Sequence, residues 1–293
     1  MVSCFTFRIF LNLEKKNIKY GFSQGRLTIP YNGELQCFPQ YDWQNEFINA
    51  GLLGCSFIEL LVEREKNNLN PIWSNEGRFE ILELCTKNKL KPYSICLDYI
   101  INHSLLDDPR KDSFKSIENC IEIAVDLDAH MVILPLLEES NLAKKNFLEM
   151  AQIIKKAACI AKQCNVYLCI ESLVSVKDLN EFISLINMSN VKAVFDTGNR
   201  VIETPDLYNE ILNLSENLGH IHIKDKDRFG NNVILGSGMV DFCGVFDALN
   251  KINFCGALNF ETNRGSVPLH TARHNIKFCE FFLENSQKHP NLN

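Results

Sequence analysis

The chain has 293 residues, of which 46% are apolar and 23% charged, with a formal net charge of −6. That length suits one large α/β domain, and the excess of carboxylates repels a phosphate backbone, which argues against nucleic acid as a main partner. No segment approaches the roughly 20 apolar residues of a membrane span. The apolar stretch at 5–13 is short, broken by Arg8 and without a signal-peptide cleavage site, so a cytoplasmic protein with no membrane partner is expected.

Strand-like and helix-like segments alternate eight times. Strands are expected at 18–26, 56–61, 91–97, 130–136, 166–171, 191–196, 219–224 and 255–261. They are short runs of Ile, Val, Leu and aromatics, as strands buried on both faces require. Pro92 is tolerated only near the start of its strand. Helices are expected at 43–53, 75–88, 113–127, 142–163, 177–187, 206–217, 241–251 and 269–285. The apolar side of 75–88 reads as Phe79, Leu82, Leu84 and Cys85. That of 113–127 reads as Phe114, Ile117, Ile121 and Val125, with Ser113 as its cap. Asp178 and Pro205 stand where helices start. With no linker or low-complexity tract, this alternation predicts a single (β/α)8 barrel at 18–285, an N-terminal extension at 1–17 and a tail at 286–293. The twelve cysteines contain no C-x-x-C pair and read mostly as small buried residues kept reduced. Neither nucleotide-binding glycine motif is present.

Four runs in the second half each carry a metal-type ligand: VYLCIE closes on Glu171, VKAVFD on Asp196, GHIHIK contains His222, and ALNFE closes on Glu261. The steps between these residues are 25, 26 and 39, each about one βα repeat. Ligands on consecutive parallel strands converge only if the sheet closes. Two glutamates, an aspartate and a histidine suit one Mn, Mg, Co or Zn ion. His220 and His222 face the same side of their strand. His222 is taken as the ligand because it is nearer the strand end, with His220 a deeper, hydrogen-bonded support.

Several segments carry a resemblance. G-H-I-H-I-K-D at 219–225 resembles the seventh strand of the xylose-isomerase-like barrels, the superfamily of sugar and sugar-phosphate isomerases and epimerases that also contains endonuclease IV. I-E at 170–171, F-D-T-G-N at 195–199 and F-E-T at 260–262 are similar to its other metal strands. Y-G-F-S-Q-G-R-L at 20–27, I-E-L at 58–60 and L-G-S-G-M-V-D-F at 235–242 are similar to its first strand, second strand and seventh loop. The likeness runs in order from about residue 18 to 285. It implies Glu171, Asp196, His222 and Glu261 as ligands of one divalent ion. The endonuclease branch has a second histidine where this chain has Asn199, and an Asp-x-His where this chain reads D-R-F-G at 227–230. A three-zinc nuclease cluster therefore lacks ligands.

The resemblance implies a sugar or sugar-phosphate isomerase or epimerase, with ketose 3-epimerisation through a metal-stabilised enediolate as the expected reaction. Glu171 and Glu261 then serve both as ligands and as the acid–base pair on opposite faces of the substrate. Aldose–ketose isomerisation uses the same parts. An inosose-type dehydratase and a non-catalytic sugar-binding barrel are the alternatives from other classes. Gln24, Arg26, Glu59, Asn199, Lys224 and Arg264 are the expected substrate contacts, Glu59 either accepting from hydroxyls or pairing with Arg64. His103 reads as a surface histidine. Family barrels are often dimers or tetramers, and no residue here fixes an oligomer number.

Overall fold

The computed structural model describes residues 18–29 and 33–285; the expected extension at 1–17 and tail at 286–293 lie outside the described residues. In chain order the elements begin with β1 (Lys19–Ser23), α1 (Trp43–Leu52), β2 (Phe57–Val62), α2 (Asn75–Lys87) and β3 (Lys91–Leu97). There follow α3 (Tyr99–Asn102), α4 (Asp112–Asp126), β4 (Met131–Pro135), α5 (Phe147–Gln163), β5 (Tyr167–Glu171) and α6 (Val176–Ile186). The remainder is β6 (Val191–Asp196), α7 (Thr197–Glu203), α8 (Leu207–Leu214), β7 (Leu218–Ile223), a small hairpin β8 (Asp225–Lys226) and β9 (Asn232–Val233), α9 (Phe242–Lys251), β10 (Ala257–Phe260) and α10 (Pro268–Asn285).

Eight of these strands close into a parallel barrel in the order β1-β10-β7-β6-β5-β4-β3-β2. Closure is made by β1 against β10, from Lys19 opposite Ala257 to Phe22 opposite Phe260. All eight expected strands are therefore present. Between strands and helices lies the main apolar core, where Phe47, Ile154, Phe182 and Phe246 are fully buried. Inside the barrel, Cys96, Met131, Ile133, Cys169 and Val194 form a smaller apolar cluster. No helix among the described residues is long and apolar enough to cross a membrane.

Two register shifts interrupt the ladders, one at Ile58/Glu59 between β2 and β3 and one at Ala193/Val194 between β6 and β7. Such irregularities re-aim side chains beside functional sites. Here they set Glu59 opposite Ser94, and His220 and His222 opposite Val194 and Asp196.

Some local expectations change. Helix α4 is capped by Asp108, whose carboxylate accepts the N–H groups of Asp112 (3.0 Å) and Ser113 (2.8 Å). Ser113 lies inside the helix and gives its hydroxyl to the His103 carbonyl. Phe79 and Val125, expected on apolar faces, are exposed, whereas Ile81, Cys85, Ile117 and Ile121 are buried. Helix α5 starts at Phe147 because Asn146 folds back on Ala143 N–H and the Asn141 carbonyl. Seven of the eleven described cysteines are buried, and all eleven are unpaired.

Helix α2 begins hard against a 3-10 turn, Pro71–Trp73. A Cβ built on Gly77 would stand 2.1 Å from the Pro71 carbonyl oxygen, and neither backbone can yield cheaply. Gly77→Ala is expected to destabilise the barrel by about 3 kcal/mol, read as a lower urea midpoint at unchanged slope.

Candidate metal centre

Parallel strands deliver their last side chains to one end of the barrel. Glu171 and Asp196 are the last residues of β5 and β6, His222 is the penultimate residue of β7, and Glu261 directly follows β10. Their side chains meet. Nδ1 of His222 lies 3.2 Å from Glu261 Oε2, 3.7 Å from Glu171 Oε2 and 3.9 Å from Asp196 Oδ2. The other ring nitrogen, Nε2, lies 3.1 Å from Glu59 Oε1 and 3.3 Å from Oε2. When Nε2–H is given to Glu59, the Nδ1 lone pair faces three carboxylates. Only positive charge, a proton or a metal ion, makes that arrangement favourable, and three oxygen donors with one imidazole suit a divalent metal. The four residues fit such an ion.

Asp196 uses its two oxygens separately. Oδ1 accepts the Asn199 N–H at 2.7 Å and caps α7, while Oδ2 turns into the site. Two cations balance the carboxylates: Lys224 Nζ is 2.9 Å from both Asp196 Oδ2 and Glu261 Oε2, and Arg26 reaches Glu261 at 3.2 Å. Lys224 is itself held in place. The Thr197 hydroxyl accepts its N–H at 2.9 Å and donates to its carbonyl at 2.6 Å, and Gly198 leaves room for its stem.

Burial pushes the Glu171 carboxyl up to about 7, and the neighbouring Asp196 charge adds to the shift. Burial works the same way on Glu261, but Lys224, His222 and Arg26 outweigh it and hold that carboxyl well below the usual range. For His222 burial favours the neutral ring, yet Glu59 and Glu261 raise it well above an ordinary histidine.

Of the expected substrate contacts, Asn199 gives its amide to Glu171 Oε1 at 2.9 Å, and Lys224 and Arg26 stand among the carboxylates. Three others sit elsewhere. Gln24 is buried and accepts the Leu61 N–H. Arg264 is buried and donates to the carbonyls of Gly25, Glu34 and Leu35, which ties the loop after β1 to the mouth. Glu59 is not at the rim but within β2, and it makes no pair with Arg64, which joins Glu138 at 2.8 Å. His103 stacks on Tyr99 at 4.0 Å and lies 3.4 Å from Glu65, outside the mouth.

One buried carboxylate was missed. Asp98 follows β3, accepts from Gln36 Nε2 at 3.0 Å and from Cys96 Sγ at 3.2 Å, and its carboxyl is pushed up to about 6, chiefly by burial. Its signal was present: the run S-I-C-L-D at 94–98 closes on an acid as the metal strands do.

Residues 49–281 match a family described as the xylose isomerase-like TIM barrel. Among curated proteins, the L-ribulose-5-phosphate 3-epimerase UlaE of Escherichia coli O8 (strain IAI1) is 24% identical over 232 residues, which cover 73% of this chain and 80% of that protein. Among solved structures, D-psicose 3-epimerase with D-tagatose from Clostridium cellulolyticum H10 superposes with a TM-score of 0.71 at 17% identity, over 91% of this chain and 99% of that one. The IOLI protein with a bound zinc atom gives 0.70 at 16% identity, over 92% and 98%.

Asp98 links the mouth to stability. A carboxyl with a raised folded-state pKa contributes stability that is present below its unfolded value near 4 and lost as pH rises through about 6. Asp98→Asn, measured in chelator, is expected to match wild type at pH 4 and exceed it by about 1–3 kcal/mol at pH 7.5. Equal stability at both pH values would count against a strained carboxylate here.

Proposed function

The chain belongs to the xylose isomerase-like TIM-barrel family, and we propose that it is a divalent-metal-dependent isomerase that epimerises a ketose or ketose phosphate at C3. The observation that carries this reading is the Nδ1 of His222, buried and aimed at three carboxylates from three other strands. The 3-epimerase names of a curated relative and a structural neighbour support the reaction class. A cytoplasmic setting agrees with the eleven cysteines among the described residues being unpaired.

Glu171, Asp196, His222 and Glu261 would hold the ion. When bound, it would polarise the ketose carbonyl and the adjacent hydroxyl, so that the proton on C3 becomes acidic. The chain's residues do the rest. Glu261 comes from one side of His222 and Glu171 from the other, because β7 and β6 separate β10 from β5. Glu261, kept ionised by Lys224 and Arg26, removes the proton at C3 to give an enediolate. Glu171, whose carboxyl lies nearer neutrality, returns a proton to the opposite face, and the reverse reaction exchanges the two roles. Lys224 and Arg26 hold Glu261 in position, and Asn199 holds Glu171.

Elemental analysis of protein purified without chelator is expected to find about one Mn, Co, Zn or Mg per chain, lost in Asp196→Ala. About three zinc ions would instead indicate nuclease chemistry. In heavy water, epimerised ketose should carry deuterium at C3. Glu261→Gln, compared at equal metal content, should lower kcat by about 10²- to 10⁴-fold, and activity within tenfold of wild type would exclude Glu261 as the base.

A further inference from the structure

Of the buried carboxylates that the mechanism leaves unused, one touches a candidate ligand directly. Glu59 is 1% exposed and sits below the ligands, inside the barrel. Its Oε1 accepts from Ser23 Oγ at 3.1 Å and Asn259 Nδ2 at 2.8 Å. Its Oε2 accepts from Ser94 Oγ at 2.7 Å and lies 3.1 Å from His220 Nε2. The fifth neighbour is His222 Nε2, within 3.3 Å of both oxygens. A carboxylate has about four acceptor positions. Five neighbouring donors engage all of them, which leaves Glu59 no free direction of its own for a cation or a substrate hydroxyl.

We infer that Glu59 is a positioning residue: by accepting Nε2–H it fixes the tautomer and ring angle of His222, so that Nδ1 is the atom presented to the ion. A neutral imidazole offers one lone pair, and the partner of its other nitrogen decides which atom that is. Without Glu59 the ring could turn over and present its proton to three carboxylates. The surroundings oppose that turn. His220 packs across His222 with ring centres 5.2 Å apart and planes at 84°. The register shift between β2 and β3 puts Glu59 level with Ser94. Serines on two flanking strands and Asn259 on a third then hold the carboxylate still before His222 is considered.

The inference rests on the metal-centre reading, and the experiment separates the two. Chelator-stripped wild type, Glu59→Gln and Ser94→Ala are titrated with Zn²⁺, and the His222 ring nitrogens of the zinc-loaded protein are followed by ¹⁵N NMR. Wild type should carry its proton on Nε2 and the metal on Nδ1. Glu59→Gln should bind zinc about 10- to 100-fold more weakly and lose that single tautomer, while circular dichroism shows it folded. Ser94→Ala removes another hydrogen bond of the same carboxylate but spares the one to His222, and should stay within about threefold. Metal on Nε2 in wild type overturns the inference without need of any variant. Equal affinity in Glu59→Gln, an equal loss in Ser94→Ala, or a second zinc bound among Glu59, His220 and His222 also overturns it. If wild type binds no zinc at all, the metal-centre reading fails and this inference fails with it.

Discussion

Crowding of like charge is the constraint on which the mouth of this barrel depends. Glu171, Asp196 and His222 offer donor atoms within 4.8 Å of one another, and Glu261 stands 3.2 Å from the same imidazole. Two carboxylates at that distance repel by about 3 kcal/mol even at an effective dielectric constant of 20. Repulsion on that scale is a sizeable part of the 5–15 kcal/mol that typically holds a domain folded. The arrangement stands only with positive charge built in. Lys224 and Arg26 supply part of it, and their own backbone and side-chain anchors, Thr197 and Gln36, follow from that need.

The interior of the barrel divides accordingly. On the side of β3 to β6 it is apolar, filled by Cys96, Met131, Ile133, Cys169 and Val194. On the side where β1, β2, β7 and β10 meet it is polar, with Ser23, Glu59, His220, His222 and Asn259 bonded to one another. The Asn259 amide donates to Ser23 across the seam between β10 and β1 and to Glu59 beyond it. The contacts that close the sheet are thus continuous with the contacts that hold the imidazole. A buried network whose central carboxylate has every acceptor position engaged favours one arrangement where an apolar filling would tolerate several.

What the sequence disclosed, and what it withheld, follows from range. Glu171, Asp196 and Glu261 were legible because a strand buried on both faces is an unbroken apolar run, and an acid at its end stands out. Repeat spacing then implied convergence. Glu59 was visible as a residue but not as a role, because its five neighbours come from four other strands and only closure brings them together. The structural partners of Gln24 and Arg264 were hidden for a related reason: neither the Leu61 N–H that Gln24 accepts nor the loop carbonyls that engage the Arg264 guanidinium leave a trace in composition. Asp98 closes an apolar run like the others, yet it stands outside the repeat spacing that drew attention to the metal strands. The short helix α7 was hidden because it starts with no intervening loop, capped by the very residue that ends β6.

That last feature divides the mouth into parts that can and cannot drift. Asp196 terminates a strand, caps a helix and turns an oxygen toward His222, so an insertion after it would unseat all three together. The neighbouring hairpin is built otherwise. Asp225 anchors its base by accepting the N–H groups of Gly236, Gly238 and Val240, whereas at its tip Arg228 lies over the ring of exposed Phe229. Residues gained or lost at that tip would leave those three hydrogen bonds in place.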